Sequence, residues 1–150
     1  MRDRPDEQRL EAWRLFLQTH ARVLAQLEQE LDAERHLPLT WYDVLAQLDA
    51  APCQRLRLQD LVRRLVLSKS GLSRRIDRMQ EAGLVERHEC SSDARGVFAV
   101  LTPAGKAVLE EAAPVHLAGI ARHFTQYLTD KETVALQAAF KKMLAGIEGS

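Results

Sequence analysis

Cysteine is scarce in this chain. Cys53 and Cys90 are the only two in 150 residues, too few for a disulfide scaffold and in keeping with a reducing compartment. Aromatics are scarce as well, four Phe, two Trp and two Tyr, so aliphatic packing of helices is expected to form the core. No apolar run approaches the ~20 residues that a helix needs to cross a bilayer, and no membrane partner is expected. The opening MRDRPDEQRL is charged and lacks the apolar stretch of a signal peptide; the expectation is a cytoplasmic protein. Motifs of catalysis are missing too. There is no Gly-rich phosphate loop, no Gly-x-Ser-x-Gly and no matched carboxylate pair, so neither an enzyme nor a cofactor is expected. Net charge is also absent, with 21 Lys and Arg against 21 Asp and Glu.

That zero conceals a separation. Residues 1–49 hold 6 basic and 10 acidic side chains, residues 50–102 hold 10 and 6, and residues 103–150 hold 5 of each. Within 63–78 stand Arg63, Arg64, Lys69, Arg74, Arg75 and Arg78 against the single acid Asp77. A basic patch on a neutral or acidic body orients a protein toward phosphate.

The chain has the length of one ordinary domain. A first helix is expected over about residues 7–34, where Leu10, Trp13, Leu17, His20, Leu24, Leu27 and Leu31 recur in steps of three and four. So long a seam has too little partner surface in a domain this small and implies a second subunit. Thr40 and Asp43 read as a capping pair ahead of a short helix ending near Ala50, followed by a break over 51–54 that contains Pro52. A helix over about 58–65 would bury Leu58, Leu61, Val62 and Leu65. Ser68 is the expected N-cap of the next helix, about 69–82, which Gly83 would end in a left-handed conformation. Runs 84–89 and 97–102 are β-capable and flank a polar tip, making a wing. Pro103 fits the first turn of a helix that carries Val108, Leu109, Val115, Ile120, Phe124 and Tyr127, with Pro114 expected to kink it. Thr129 and Glu132 read as a capping box for a last helix carrying Leu136, Phe140, Met143, Leu144 and Ile147.

Residues 55–102 therefore spell helix, turn, helix, hairpin: a winged helix-turn-helix, whose second helix fits the major groove of DNA. The fold class is mainly α with a small β wing. On a helical wheel of 69–82, Leu72, Ile76 and Met79 share the sealing face. Ser70, Ser73, Arg74 and Asp77 project opposite, with Arg78 at the margin. Short hydroxyls let a backbone approach the groove floor, and Arg takes O6 and N7 of guanine together. Arg75 lies between the faces, placed for phosphate. At the wing tip Arg95 would enter a minor groove, with Asp93 holding its fork. The plainer alternatives are a solvated Arg-rich helix and an exposed Asp93–Arg95 pair of little energetic worth; agreement of cap, core face and wing favours DNA.

In its motifs the chain resembles the MarR family of winged-helix transcription regulators. The motifs are Trp-Tyr-x-Val-Leu in the second helix, Leu-Ser-x-Ser-Gly-Leu-Ser-Arg at the recognition helix and Gly-Leu-Val-x-Arg entering the wing. Asp-x-Arg-Gly stands at the wing tip and Leu-Thr-x-x-Gly follows it. Ala94 stands where the family often has Arg. The resemblance implies one MarR-like domain over 1–150, with 1–36 and 104–150 forming a dimerisation region and 37–103 the DNA-binding lobe. It implies a homodimeric repressor of a pseudo-palindromic operator; the candidate contacts to double-stranded DNA are Arg57, Ser68, Lys69, Ser70, Ser73, Arg74, Arg75, Arg78, Asp93 and Arg95. It also implies release by a small aromatic or phenolic effector in a cleft between the two regions.

Trp13, Phe16, His20, Trp41 and Tyr42 are the candidates around that cleft. His20 stands at a seam position otherwise filled by Leu and Trp, and either hydrogen-bonds a ligand or pairs with another polar group of the core. Metal sensing would have to use His116 and His123, seven apart and without the companion ligands that zinc requires; no metal site is expected. Redox sensing would use Cys53 or Cys90. A regulator of the same fold responsive to redox or metal is one alternative. A helix-turn-helix that serves only as a protein-interaction scaffold is the other.

Overall fold

The computed structural model describes residues 4–89 and 96–149. Helix α1 runs over Glu7–Arg35. It starts where the Asp6 side chain accepts a hydrogen bond from the Arg9 backbone N–H, 2.8 Å, satisfying one of the orphan donors of a helix start. Its seam is divided. Leu27 and Leu31 are buried in the core of their own chain, whereas Trp13, Leu17 and His20 face outward.

Helix α2, Leu39–Ala50, begins after Pro38, whose extended backbone makes the entry and whose carbonyl accepts from the Trp41 and Tyr42 N–H groups. The expected Thr40–Asp43 capping pair does not form: Thr40 lies inside the first turn, and the Asp43 carboxylate is used elsewhere, as described below. After a turn at Pro52–Gln54, Arg55–Arg57 forms a strand, β1, for which the sequence pattern predicts no element. Cys53 and Gln54 both adopt positive φ there, a costly backbone for non-glycine residues. The turn is held from outside, because Asp49 Oδ1 accepts from Gln54 Nε2 at 2.8 Å and from Lys106 Nζ at 3.1 Å.

Helices α3, Leu58–Arg64, and α4, Leu72–Glu81, form the helix-turn-helix. Strands β2, Val85–Glu89, and β3, Val97–Leu101, make the wing. The sheet is antiparallel in the order β1-β3-β2, with Leu56 opposite Ala99 and Val85 opposite Leu101. Pro103 opens α5, Pro103–His123, which continues as one helix through Pro114. Phe124 leaves helical geometry, so Phe124 and Tyr127 fall in the short turn after α5 and not on the helix itself. The Thr129–Glu132 capping box is present at the start of α6, Asp130–Glu148.

One aliphatic core joins these elements, running from Leu27 and Leu31 through Leu45 and Leu48 to Leu61, Ile76, Met79 and Val85. Burying each such side chain stabilises the fold by about 1.5–3 kcal/mol relative to exposure. Two glycines mark where backbones come too close for a side chain. A Cβ on Gly119 would lie 2.7 Å from Leu27 Cδ2, at the α1–α5 crossing, and one on Gly105 would lie 2.0 Å from the Leu84 carbonyl oxygen. No helix among the described residues is long and apolar enough to cross a membrane.

Candidate nucleic-acid interface

Helix α4 is fixed from beneath by its buried face. Leu72, Ile76 and Met79 are sealed in the core, as the wheel predicts, and Ser73, Arg74, Asp77 and Arg78 are exposed on the other side. Its start differs from the expected one by three residues. Ser68 is not the N-cap: its hydroxyl lies 3.3 Å from that of Ser70, and Gly71, at φ 70°, is the capping residue. Only glycine takes that left-handed backbone without cost, so Ser68, Lys69 and Ser70 stay in the exposed turn ahead of the helix. The helix ends as expected, with Gly83 at φ 77° and the Leu84 N–H reaching back to the Met79 carbonyl.

The turn itself is held by two side chains. Asp43, on α2, accepts from the backbone N–H groups of Val66 and Leu67, both at 3.0 Å. Arg75 folds back over the same segment, donating to the Ser68 carbonyl at 3.0 Å and the Ser70 carbonyl at 3.3 Å. Arg75 therefore braces the turn in this structure, where the sequence reading pointed it at phosphate. Arg57 is half-buried at the start of α3, its guanidinium 5.3 Å from the Phe98 ring centre, with Arg55 on the same ring at 4.6 Å.

A residue the sequence reading did not single out ties α4 to the wing. Arg87, on β2, places Nη2 2.9 Å from the Ser73 carbonyl, 3.1 Å from the Ser73 hydroxyl and 2.9 Å from Asp77 Oδ1. Its backbone N–H donates to Gln80 Oε1 at 2.9 Å. Its sequence signal was the final Arg of Gly-Leu-Val-x-Arg. At the other end of the wing, Thr102 Oγ1 donates to the Gly83 carbonyl at 2.6 Å and accepts from the Gly105 N–H at 3.0 Å. One hydroxyl thus pins the end of the α4 segment, the base of the wing and the first turn of α5. Cys90, Asp93 and Arg95 lie outside the described residues.

A cleft of ≈ 330 Å³ separates α1 from the helix-turn-helix, lined by His20, Leu24, Glu28, Leu39, Thr40, Val66, Leu67 and Ser68. Of the five aromatic and polar candidates only His20 reaches it. Trp13 and Phe16 lie on the exposed face of α1, where Phe16 meets Phe140 of α6 with ring centres 5.9 Å apart. Trp41 and Tyr42 are half-buried against the core. Tyr42 packs on His116 with ring centres 4.4 Å apart, and burial pushes the tyrosine hydroxyl up and the imidazole down in pKa, keeping both neutral. His123 instead pairs with Glu30, Nε2 to Oε1 at 2.6 Å. The two histidines do not converge, and among the described residues no group of three or more His, Cys, Asp or Glu could hold a metal ion.

The MarR family model matches residues 37–96. The multiple antibiotic resistance protein MarR of Salmonella typhimurium is 30% identical over 105 residues, 70% of this chain and 72% of that protein. An HTH-type transcriptional regulator of Bacillus subtilis, YkoM, is 32% identical over 76 residues, and the matched region spans about half the length of that relative, 49%. Among solved structures, AbsC, a MarR family transcriptional regulator from Streptomyces coelicolor, is 34% identical with a TM-score of 0.88 and covers 99% of both chains. Sco3205 of the same organism, solved in complex with DNA, is 27% identical with a TM-score of 0.89, covering 97% of this chain and 91% of that one.

Proposed function

The chain belongs to the MarR family of transcription regulators, DNA-binding proteins and not enzymes, and from that premise we propose how it reads and releases its operator. It acts as a homodimer, with 1–36 and 104–150 as the dimerisation region and 37–103 as the DNA-binding lobe. Each protomer lays α4 in a major groove of a pseudo-palindromic operator whose half-site centres lie about one helical turn, ~10 base pairs, apart. The observation that carries this reading is the two-faced build of α4: Leu72, Ile76 and Met79 buried, Ser73, Arg74, Asp77 and Arg78 in the open. Arg74 and Arg78 supply base and phosphate contacts. Ser68, Lys69 and Ser70 in the exposed turn and Arg57 behind it add backbone contacts, and Arg95 enters the minor groove with Asp93 holding its fork. Arg75 serves the interface by shaping the turn.

The bound protein represses, and a small phenolic or aromatic ligand in the α1 cleft releases it. That cleft separates the helix that sets subunit spacing from the turn that sets α4. A ligand there changes DNA affinity only through a difference in affinity between two spacings of the recognition helices. The Glu28 carboxylate among the lining residues favours a phenol over an acid, with His20, Thr40 and Ser68 available to its hydroxyl.

Selection of bound sequences from random duplexes tests the class, and a panel of phenols and aromatic acids tests release. An inverted repeat with ~10 base-pair spacing is expected, with His20→Ala weakening release while ligand-free affinity stays near its original value. Absence of any enriched repeat would favour the scaffold reading instead.

A further inference from the structure

Arg87 makes contacts of an unusual kind for a strand residue at a wing base. Its side chain is three-quarters covered, with 25% exposure, while its partner Asp77 is 60% exposed on the open face of α4. Asp77 is the one acid among the six cations of residues 63–78. A bare carboxylate on a face that approaches phosphate repels it, and like-charge juxtaposition across an interface costs several-fold to many-fold in affinity. Arg87 removes that repulsion by holding Oδ1 at 2.9 Å. The Nη2 hydrogens go to Ser73 and the contact with Asp77 is an ion pair, so the Asp77 carboxylate keeps its acceptor capacity.

The same guanidinium nitrogen sits 3.1 Å from the Ser73 hydroxyl. A guanidinium only donates, so the serine oxygen accepts there and the serine proton must point elsewhere. The contact to the Ser73 carbonyl at 2.9 Å fixes the backbone under that hydroxyl. Ser73 and Asp77 are four apart on one helix and so lie one above the other on the same face.

We propose that Arg87 is a positioning residue for sequence recognition: it sets Ser73 as a hydrogen-bond donor and Asp77 as a charge-neutralised acceptor on the DNA-facing side of α4. The pair then reads opposite base chemistries at neighbouring positions. Ser73 donates to a purine N7 or to the O4 or O6 of thymine or guanine, and Asp77 accepts from the exocyclic amine of cytosine or adenine. Arg87 itself need not touch DNA. This rests on the reading of α4 as the groove-entering helix.

The test compares the full-length chain with Arg87→Lys, Arg87→Ala, Asp77→Asn and the Arg87→Ala/Asp77→Asn double variant. Sequences are selected from random duplexes, and affinities for the enriched site and for a scrambled duplex are measured at two salt concentrations. Arg87→Lys keeps the charge on a shorter side chain that does not carry its nitrogen to the Nη2 position, so scrambled-duplex affinity and salt slope should hold within about twofold, while preference at the Ser73 position falls on the order of tenfold. Arg87→Ala should weaken binding to both duplexes, and adding Asp77→Asn should restore on the order of tenfold of it. A purely structural Arg87 would not be rescued by that second change. Full preference retained in Arg87→Lys, or no rescue by Asp77→Asn, overturns the proposal. Should Arg87→Ala fail to fold by its thermal transition, Arg87→Lys and Asp77→Asn decide it: Asp77→Asn alone should lose discrimination at one position per half-site and keep that of Ser73. If the unaltered chain enriches no sequence, the DNA-binding reading falls as well; if it enriches one and the variants keep its full preference, this inference falls alone.

Discussion

At the scale of single residues, the site is held by side chains with two tasks, and those tasks are visible only in three dimensions. Asp43 is spaced from Thr40 as a capping partner would be, yet its carboxylate takes two N–H groups twenty-three and twenty-four residues away. Nothing in a local spacing encodes that distance. Arg74 is exposed and shows no such duty among the described residues, and we read its fork as directed at DNA. Arg74→Ala should relax selectivity at one position per half-site and cost on the order of 1–3 kcal/mol per lost bidentate contact, read by competition with single-base operator variants. Equal weakening on every sequence would move Arg74 to a phosphate. Glu30 supports a second prediction at this scale. Its carboxyl is held below the usual glutamate range, first by the hydrogen bond with His123 and then by Arg122. A depressed carboxyl contributes stability that is fully present above its unfolded pKa, about 4.3, and is lost as pH falls through the lower folded value. Glu30→Gln should therefore cost on the order of 1–2 kcal/mol at neutral pH and flatten the acid side of the stability curve. Urea midpoints between pH 7 and 3 measure both, and parallel curves for variant and parent would show the pair to be idle.

At the scale of elements, the core faces were legible and the joints were not. Leu72, Ile76 and Met79 announced the buried side of α4 because apolar spacing is a local signal. The start of α4 was misplaced because serine is a favoured cap in general, whereas here Gly71 supplies the left-handed turn and Ser68 engages Ser70. Strand β1 escaped notice because three residues, Arg55–Arg57, have too short a pattern; pairing with β3 makes them a strand. Leu-Thr-x-x-Gly was recognised as a motif, and its physical reason lies at a joint. Thr102 bonds Gly83 and Gly105, and Gly105 passes so close to Leu84 that no Cβ fits. Gly105→Ala would put a methyl 2.0 Å from a carbonyl oxygen and 2.9 Å from Leu101 Cδ1. The backbone must then shift at the junction of wing and α5, at a cost of about 1–3 kcal/mol or more. A thermal midpoint lowered by several degrees is expected, together with weaker DNA binding because the wing base moves. An unchanged midpoint would mean that the junction has slack.

At the scale of the whole molecule, one chain leaves too much apolar surface uncovered for its helices to be self-sufficient. The first half of α1 exposes Trp13, Phe16 and Leu17, and α6 buries no residue while exposing Val134, Met143, Leu144 and Ile147. Phe16 against Phe140 is the contact that brings these two surfaces together within one protomer. The heptad reading of α1 was right about an apolar seam but could not divide it; the structure gives Leu27 and Leu31 to the chain's own core and leaves the earlier positions open. A helix of nineteen residues with none fully buried draws little stability from propensity alone, which is why the proposed dimer is expected to cover α6. A second copy related by a two-fold axis meets the same patch with itself, and a stable interface needs roughly 1,600 Å² in total. Leu144→Asp with Ile147→Asp places two charges in that patch without touching the core around Ile76. Sedimentation should then show the parent chain at twice the mass of the variant at micromolar concentration. Operator affinity of the variant should fall steeply, since each protomer would hold one half-site alone, and its salt dependence should drop to about half because half the phosphates are neutralised. A parent chain that sediments as a monomer, or a variant that keeps full operator affinity and salt slope, would remove the two-fold dimer from the account and leave the exposed face of α6 to another partner.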